Sequence, residues 1–292
     1  MRIGIVTHHA TQTNLGLAAA APRGIRSFVI PPSESVQLEP CDAALGRLDV
    51  RPTLDGIEPG LAHLSLLEAR GLPVLNPPVA LRLAHDKLAT APALAAAALP
   101  HPRTTSLFDD AGALPPLRFP FVVKPRYGSW GRDVIMCADQ RAYERALATL
   151  RSRPWFAATG AVAQKLVPPL GHDLRVVVAG GDVIGAIKRV AKPGEWRTNV
   201  ALGATRVPTE PSPAACELAL AATAAIGADL LGVDLLPVGP GRYVVLELNG
   251  AVDFAREYDP GGDIFASAMR ALTARLHGDV VLPLEPIEAL GA

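Results

Sequence analysis

The stretch GVDLLPVGPGRYVVLELN, residues 232–249, holds two apolar runs around a turn rich in glycine and proline, the pattern of a β-hairpin. With the turn PVGPGR centred between Gly239 and Pro240, Asp234 lies opposite Val245. Side chains alternate faces along a strand, so Asp234, Val245, Glu247 and Asn249 share one face, and Val233, Leu235, Val244, Leu246 and Leu248 share the other. Two carboxylates and an amide thus converge on one side of an otherwise apolar hairpin. Close carboxylates repel and are costly to desolvate without a partner, so the pattern predicts a cation among them, a merely solvated face being the alternative. Oxygen donors with no Cys or His nearby favour magnesium, which leaves coordination positions for phosphate oxygens and water. This reading depends on register: a one-residue bulge would undo it.

Upstream, two lysines are placed to clamp phosphates. Lys124 ends the apolar strand FPFVVKP, residues 119–125, and enters a loop where Gly128, Ser129 and Gly131 let backbone N–H groups approach an anion. Lys87 follows Asp86 near a helix start, where the dipole favours anions. The loop matches neither a Walker P-loop nor a nucleophile elbow. The alternative for either lysine alone is a solvated surface charge. His8, His9 and His172 read as solvated or structural residues.

Between and around these features the chain falls into three segments. Residues 1–80 alternate strand and helix text: IGIV, SFVI, LDV at 48–50 and PVLN at 73–76, with helix-like GLAHLSLLEARG between the last two. That order predicts a small parallel-sheet domain, and no G-x-G-x-x-G follows its first strand. Residues 81–163 read as a lid lobe with a helix capped by Asp139; Pro92 should kink its alanine-rich helix or restart it after Thr90. Residues 164–292 carry strands joined at Gly180 and Gly181, a helix with Ser212 as N-cap and Pro213 in its first turn, the hairpin, and a final helix closed by Gly278. The turn at Gly180 and Gly181 leaves a choice open. Two turn residues put Lys188 on the face of Asp173 and Arg175, and three put Arg189 there.

The 292 residues suit two or three lobes sharing a cleft. Formal charge is zero, with 28 basic and 28 acidic residues, so neither a basic excess for nucleic acid nor an acidic tail is present. The N-terminal MRIGIVTHH is too short for a signal-peptide core, and no apolar run reaches the roughly 20 residues of a membrane span, which predicts a cytoplasmic protein without membrane contact. Cys41, Cys137 and Cys216 are too scattered for a disulfide framework or a zinc site and read as small core residues.

Lysine, lysine, glycine loop and carboxylate hairpin follow one another here in an order that resembles the ATP-grasp superfamily, and within it the RimK-like α-L-glutamate ligases. The markers are NPP (76–78), HDKLAT (85–90), FVVKPRYGSWGRDV (121–134), AVAQKLV (161–167), GHDLRVVVAGGDVIGAIKRVAKPGEWRTN (171–199), GVDLL (232–236) and LELNGAVDF (246–254). The similarity spans about 76–269. It implies an α/β protein of α+β lobes, an ATP-grasp fold behind an N-terminal parallel-sheet domain. It implies ATP held by Lys87, Lys124, Gly128, Ser129, Gly131, Gln164, Lys165, Leu166, Asp173 and Asn199, with adenine on the backbone of 164–166. Asp234, Glu247 and Asn249 would bind Mg2+, or Mn2+ in its place. Arg175, Arg189 and Arg197 would stabilise the reacting groups while a carboxylate is phosphorylated and the amine of glutamate attacks the acylphosphate, releasing ADP and phosphate.

Two departures bear on substrate. The family's hinge usually reads Gln-Glu where this chain has Gln164-Lys165, and after Asn249 the ribosomal-protein modifiers continue Ser-Pro-Gly where this chain reads GAVDFAREY. That tail is more similar to members that glutamylate one-carbon coenzymes of the methanopterin type, or that protect an amino group in lysine synthesis. The expected substrates are therefore a small-molecule carboxylate, such as a pterin or furan coenzyme, and glutamate. The alternatives are a carrier or ribosomal protein as acceptor, an ATP-grasp kinase of a small polyol, or a non-catalytic ATP-binding regulator. The resemblance is compatible with a homodimer or homotetramer.

Overall fold

The computed structural model describes residues 1–36, 41–108 and 114–278. Three sheets organise it. The first is parallel, with β1 (Arg2–Val6), β2 (Arg26–Ile30), β3 (Ala43–Gly46) and β4 (Val74–Leu75) in the order β2-β1-β3-β4. Its connections carry α1 (Gln12–Ala19), α2 (Pro32–Ser35) and α3 (Leu61–Ala69), and α4 (Pro78–His85) and α5 (Lys87–Ala96) follow. The second is antiparallel, built from β5 (Thr104–Leu107), β6 (Phe121–Pro125), β7 (Ile135–Cys137) and β8 (Ala161–Lys165) in the order β5-β8-β6-β7. Between β7 and β8 run α6 (Gln140–Arg151) and α7 (Pro154–Thr159). The third and largest contains β9 (His172–Ala179), β10 (Asp182–Val190), β11 (Thr205–Pro208), β12 (Leu230–Gly239) and β13 (Arg242–Asn249), ordered β11-β10-β9-β12-β13, with α8 (Pro213–Ile226) and α9 (Ile264–His277). Among the described residues no helix is long and apolar enough to cross a membrane.

Local chemistry explains most of these elements. Asp139 caps α6 by accepting from Ala142 N at 2.8 Å, Ser212 caps α8 with Pro213 at its start, and Gly278 closes α9 in the left-handed conformation at φ 76°. Several sequence expectations differ. Residues 48–50 form no strand; Val50 only bridges Ile57, and the third parallel strand is instead Ala43–Gly46. Alanine and glycine are poor strand formers, so AALG gives little signal, yet all four residues are buried. Gly46 is needed there because a Cβ would lie 2.7 Å from the Asn76 carbonyl oxygen. Pro92 does not restart the helix, since α5 continues from Lys87 to Ala96 with Pro92 inside it. Among the cysteines only Cys137 is fully buried; Cys41 and Cys216 are partly exposed, and all three are free. The division at 163/164 falls inside β8, which stays in the small sheet to Lys165. Ala84 of α4 and Leu94 of α5 bury into the core of the large sheet, and α5 also packs beside β5 of the small one.

The large sheet is covered on both faces, as its nearly continuous apolar strands require. Val176, Val178, Leu231 and Val233 pack against Ala215, Ala219 and Ala222 of α8. On the other face Val177, Ala179, Ile187 and Leu230 meet Ile264, Ala268 and Leu272 of α9, and Ile3, Ile5 and Leu17 of the parallel-sheet unit join the same core. Further along that second face the strands change character: β9 passes from Val177 to Arg175 and Asp173, β10 from Ile187 to Arg189, and β12 from Leu230 to Asp234.

Asn76 stitches the parallel sheet to the large one. Its backbone is left-handed at φ 50°, its N–H donates to Asp229 Oδ2 at 2.7 Å, and its side chain bonds Asp229 N, Leu230 N, Leu230 O and Gly250 O. It is fully buried. Truncation would leave buried donors and acceptors unsatisfied, so Asn76→Ala should lower the unfolding free energy by about 3 kcal/mol or more. Urea denaturation measures this, and an unchanged midpoint would mean that the stitch contributes nothing.

Candidate active site

Two strand irregularities set the site's geometry. The turn of the β12–β13 hairpin is centred on Pro240 and Gly241, one residue later than the sequence suggested, because Gly239 pairs with Arg242. Past that turn Leu235 pairs with Val245, and then the register shifts so that Asp234 faces Glu247 and Gly232 faces Asn249. Asp234, Glu247 and Asn249 therefore do share a face. Val245 does not: it is buried in the opposite core, while Leu246 lines the cleft, which reverses the expected placement of both. The second irregularity answers the question left open at Gly180 and Gly181. Asp182 pairs with Ala179, so the turn has two residues, but the register shifts between Val183 and Gly185 and sets Arg189 opposite Asp173. A bulge, and not turn length, selects Arg189 over Lys188.

These strands build a dense ionic network. Arg175 donates to Asp234 through Nε at 2.6 Å and Nη2 at 2.8 Å. Arg189 bonds Asp173 with both Nε and Nη2, and the same Nη2 reaches Asp234 Oδ2 at 2.8 Å. Thr198 adds a bond to Asp173 at 2.6 Å. Burial by itself would raise the Asp234 carboxyl, but the charges of Arg175 and Arg189 outweigh it and hold the pKa at about 2. Burial would likewise lower Arg189, and the carboxylates of Asp234 and Asp173 more than offset it. Glu247 pairs with Lys87 Nζ at 2.8 Å, and its pKa is lowered because Lys87 and then Lys124 overcome the effect of burial.

The expectation that the hairpin carboxylates lack partners is thus corrected: the protein's own cations already neutralise them. The donor set still fits a divalent ion. Glu247 uses only Oε1 toward Lys87, and Asp234 Oδ1 accepts a single hydrogen bond. Asn249 has a buried Nδ2 with no partner, so nothing in the fold fixes which way that amide faces.

Opposite the hairpin, Lys124 is 6% exposed and donates to Gln164 Oε1 at 2.7 Å, while Gln164 Nε2 bonds Thr104 at 2.9 Å. No carboxylate among the described residues pairs with Lys124. Its pKa falls to about 8, through burial first and the neighbouring charge of Lys87 second. The glycine loop closes the same space: Lys87 Nζ donates to Gly128 O at 3.0 Å, and Arg126 forms a two-point pair with Asp86 at 2.7 and 2.5 Å. Gly131, at φ 71°, presses on the 191–199 segment, where a Cβ would lie 2.6 Å from Asn199 Oδ1. Arg197 donates to Gly131 O at 3.1 Å and pairs with Glu195 through Nη2 at 2.8 Å, so it clasps two loops together. Together these elements line one cleft that opens to solvent. Of the candidate residues only Arg175 and Asn249 do not line that cleft; Arg175 stands behind Asp234, and Asn249 lies opposite Gly232. Thr198, Glu195, Thr104 and the anchor Asp86–Arg126 carry no local sequence signal for their contacts. The histidines make ordinary polar contacts, His8 with Pro59 O, His9 with Glu58 and His172 with Leu170 O.

Asp234 is a structural keystone whatever else it binds. Asp234→Asn leaves the buried Arg189 and the partly buried Arg175 with one carboxylate and should cost about 3–5 kcal/mol in protein without nucleotide or metal. A residue serving only as a metal ligand would show no loss in that urea titration. The sign with pH follows from the depressed pKa. Stabilisation by Asp234 is complete above its unfolded value of about 3.9 and is lost as pH falls toward about 2.

A family model described as a RimK-like ATP-grasp domain matches residues 84–270. The glutamate–LysW ligase ArgX of Sulfurisphaera tokodaii is 29% identical over 221 residues, covering 74% of this chain and 78% of its own. A probable alpha-L-glutamate ligase of Haemophilus ducreyi is 30% identical over 247 residues, covering 84% of this chain and 76% of its own. Two solved structures share the fold. A RimK domain ATP-grasp protein from Sphaerobacter thermophilus has a TM-score of 0.72 at 23% identity and covers 93% of this chain and 99% of that one. The D-alanine–D-alanine ligase from Bacillus anthracis has a TM-score of 0.70 at 17% identity, covering 96% and 98%. The chain belongs to the RimK-like ATP-grasp family, enzymes that form amide bonds with the use of ATP.

Proposed function

We propose that this ligase joins L-glutamate, or a similar amino acid, to a small-molecule carboxylate, with ATP in the cleft between the small and large sheets. The observation that carries the nucleotide is Lys124, a buried cation that pairs with no carboxylate among the described residues. The cleft is lined by Lys87, Lys124, Arg132, Lys165, Arg189 and Arg197 against Asp173, Asp234 and Glu247, an excess of positive charge that suits a polyphosphate. Lys124 and Lys87 would hold phosphate oxygens, with the backbone of Gly128, Ser129 and Gly131 above them. Adenine would lie along Gln164, Lys165 and Leu166, where the β8 ladder ends at Lys165.

Glu247 and Asn249, with Asp234 sharing Oδ1, would hold a magnesium ion, whose contribution is charge neutralisation at the phosphates. Arg189 is fixed on two carboxylates and would present a rigid positive charge to the phosphoryl group as it moves to the substrate carboxylate; the amine then attacks that activated carboxyl carbon and releases phosphate. Asp173 and Arg175 would act by holding Arg189 and Asp234 in place. Asn199 and Arg197 lie where the 191–199 segment meets the glycine loop, and closure of both would keep water from the activated carboxyl.

The small-molecule acceptor rests on the segment after Asn249, which reads GAVDFAREY. A carrier protein is the second reading, favoured by the similarity to a glutamate–LysW ligase. Incubation with magnesium-ATP, single amino acids, pterin and furan carboxylates and a carrier protein decides between them by which acceptor gains the mass of one amino-acid residue. ADP release that needs no amino acid would point to a kinase, and no turnover at all to a regulator.

Glu247→Gln should fold normally and lose ADP formation by about 10²–10³-fold; unchanged turnover would remove the hairpin from the mechanism. A second test uses Lys124. Phosphate contact should return its pKa toward the ordinary value near 10.4. Calorimetry in buffers of different ionisation enthalpy should then find about half a proton taken up per ATP at pH 8 and about 0.1 at pH 7. Equal uptake at both values would separate Lys124 from the nucleotide.

A further inference from the structure

In the parallel sheet, order β2-β1-β3-β4, the chain leaves β1 toward one side and β3 lies on the other, so the carboxyl ends of β1 and β3 flank a topological switch point. Open parallel sheets bind ligands in the crevice at that place. Here Thr7, His8 and His9 follow β1, and Arg47 and Asp49 follow β3. The loop after β13 contributes Asp253, four residues beyond Asn249, which accepts from Thr11 Oγ1 at 3.1 Å.

Arg47 is 2% exposed. Its Nε donates to Asn14 at 3.0 Å and Nη2 to Val252 O at 2.7 Å, whereas Nη1 has no partner. Its nearest carboxylate, Asp253 Oδ1, stands 3.8 Å away, beyond hydrogen-bond distance. Asp49 accepts from Val50 N through Oδ1, which also faces His85 Nδ1 at 3.9 Å; among the described residues neither its Oδ2 nor Asp253 Oδ2 accepts a bond. Both carboxylates are open to solvent, at 39% and 63% side-chain exposure. His85, 5% exposed, has an unpartnered Nε2 beside Gly250, which adjoins Asn249. The crevice therefore abuts the hairpin end of the ATP cleft. Its charge is opposite to the cleft's: two carboxylates, Asp49 and Asp253, lie about one arginine, Arg47.

A substrate carboxylate alone would be repelled from such a place, and an ammonium group drawn to it. We propose that this crevice receives the amine substrate, an α-amino acid, with its ammonium group between Asp49 and Asp253 and its carboxylate toward the spare N–H of Arg47. The inference rests on the ligase reading above and deepens it: the first sheet supplies the nucleophile's subsite, and the carboxylate acceptor approaches from the positively charged cleft.

The test is direct binding, independent of turnover. Saturation-transfer NMR on the ATP-loaded protein, run with each of the twenty standard amino acids, should identify at least one that binds. Its 2-hydroxy analogue, which keeps the carboxylates and lacks the ammonium, should fail to compete. Asp49→Asn and Asp253→Asn should each weaken the amino acid about tenfold or more, the worth of one charge-assisted contact. ATP affinity measured on the same samples shows that the variants are folded. Equal binding by the variants, equal competition by the hydroxy analogue, or no amino acid bound at all would overturn this assignment. The ligase reading fails separately, by the absence of any amino-acid-dependent ADP release from the wild-type protein.

Discussion

Asp234 takes hydrogen bonds from Arg175 and Arg189 with both of its oxygens, and it is buried together with Arg189 where water screens their charges little. A buried charge persists only when it is paired and its hydrogen bonds are met, and Asp173 with Thr198 completes that requirement for Arg189. Everything at the cleft is arranged around this core of charge. It immobilises Arg189, ties β9, β10 and β12 together at one level, and fixes where the hairpin can place Glu247. Lys87 then finds its partner in Glu247, and Lys124 is left over, a cation the fold does not neutralise.

The same sheet face serves two purposes along its length. Where α9 covers it, the side chains are Val177, Ala179, Ile187 and Leu230. Where the small sheet and its loops approach, they become Asp173, Arg175, Arg189 and Asp234. One set of strands thus supplies both a hydrophobic anchor and a charged floor, and the anchor gives the floor its rigidity. The covering loops are held by polar contacts instead, Arg126 on Asp86 and Arg197 on Glu195 and Gly131, which can be exchanged without unmaking a core.

Positive charge dominates the cleft and negative charge the crevice beside it. An amide-forming enzyme has to bring a polyphosphate, a carboxylate and an amine together. Segregated fields of this kind would sort those reactants before any specific contact forms. In the reading proposed here the parallel sheet is a working part of the site, joined to it through Asn76, His85 and Val252.

Much was legible in the order of residues. Runs such as FVVK and YVVL read as strands, Asp139, Ser212 and Gly278 marked helix ends, and the charged positions were conspicuous in apolar text, because each of these signals acts over a few neighbouring residues. The strand AALG was not legible, since its burial comes from Leu64 and Asn76 packing on Gly46 and not from its own propensity. The choice between Lys188 and Arg189, and between Val245 and Leu246, was beyond the sequence for a sharper reason. With a repeat of two, one extra residue exchanges the faces of a strand, and the bulges near Ile184 and Leu246 are settled by how each strand must fit its neighbours. The sequence by itself determined which residues carry charge and in what order they come. The tertiary structure alone decided which charge meets which, because partners such as Arg175 and Asp234, or Lys87 and Glu247, are far apart in the chain and burial leaves each of them little alternative but the other.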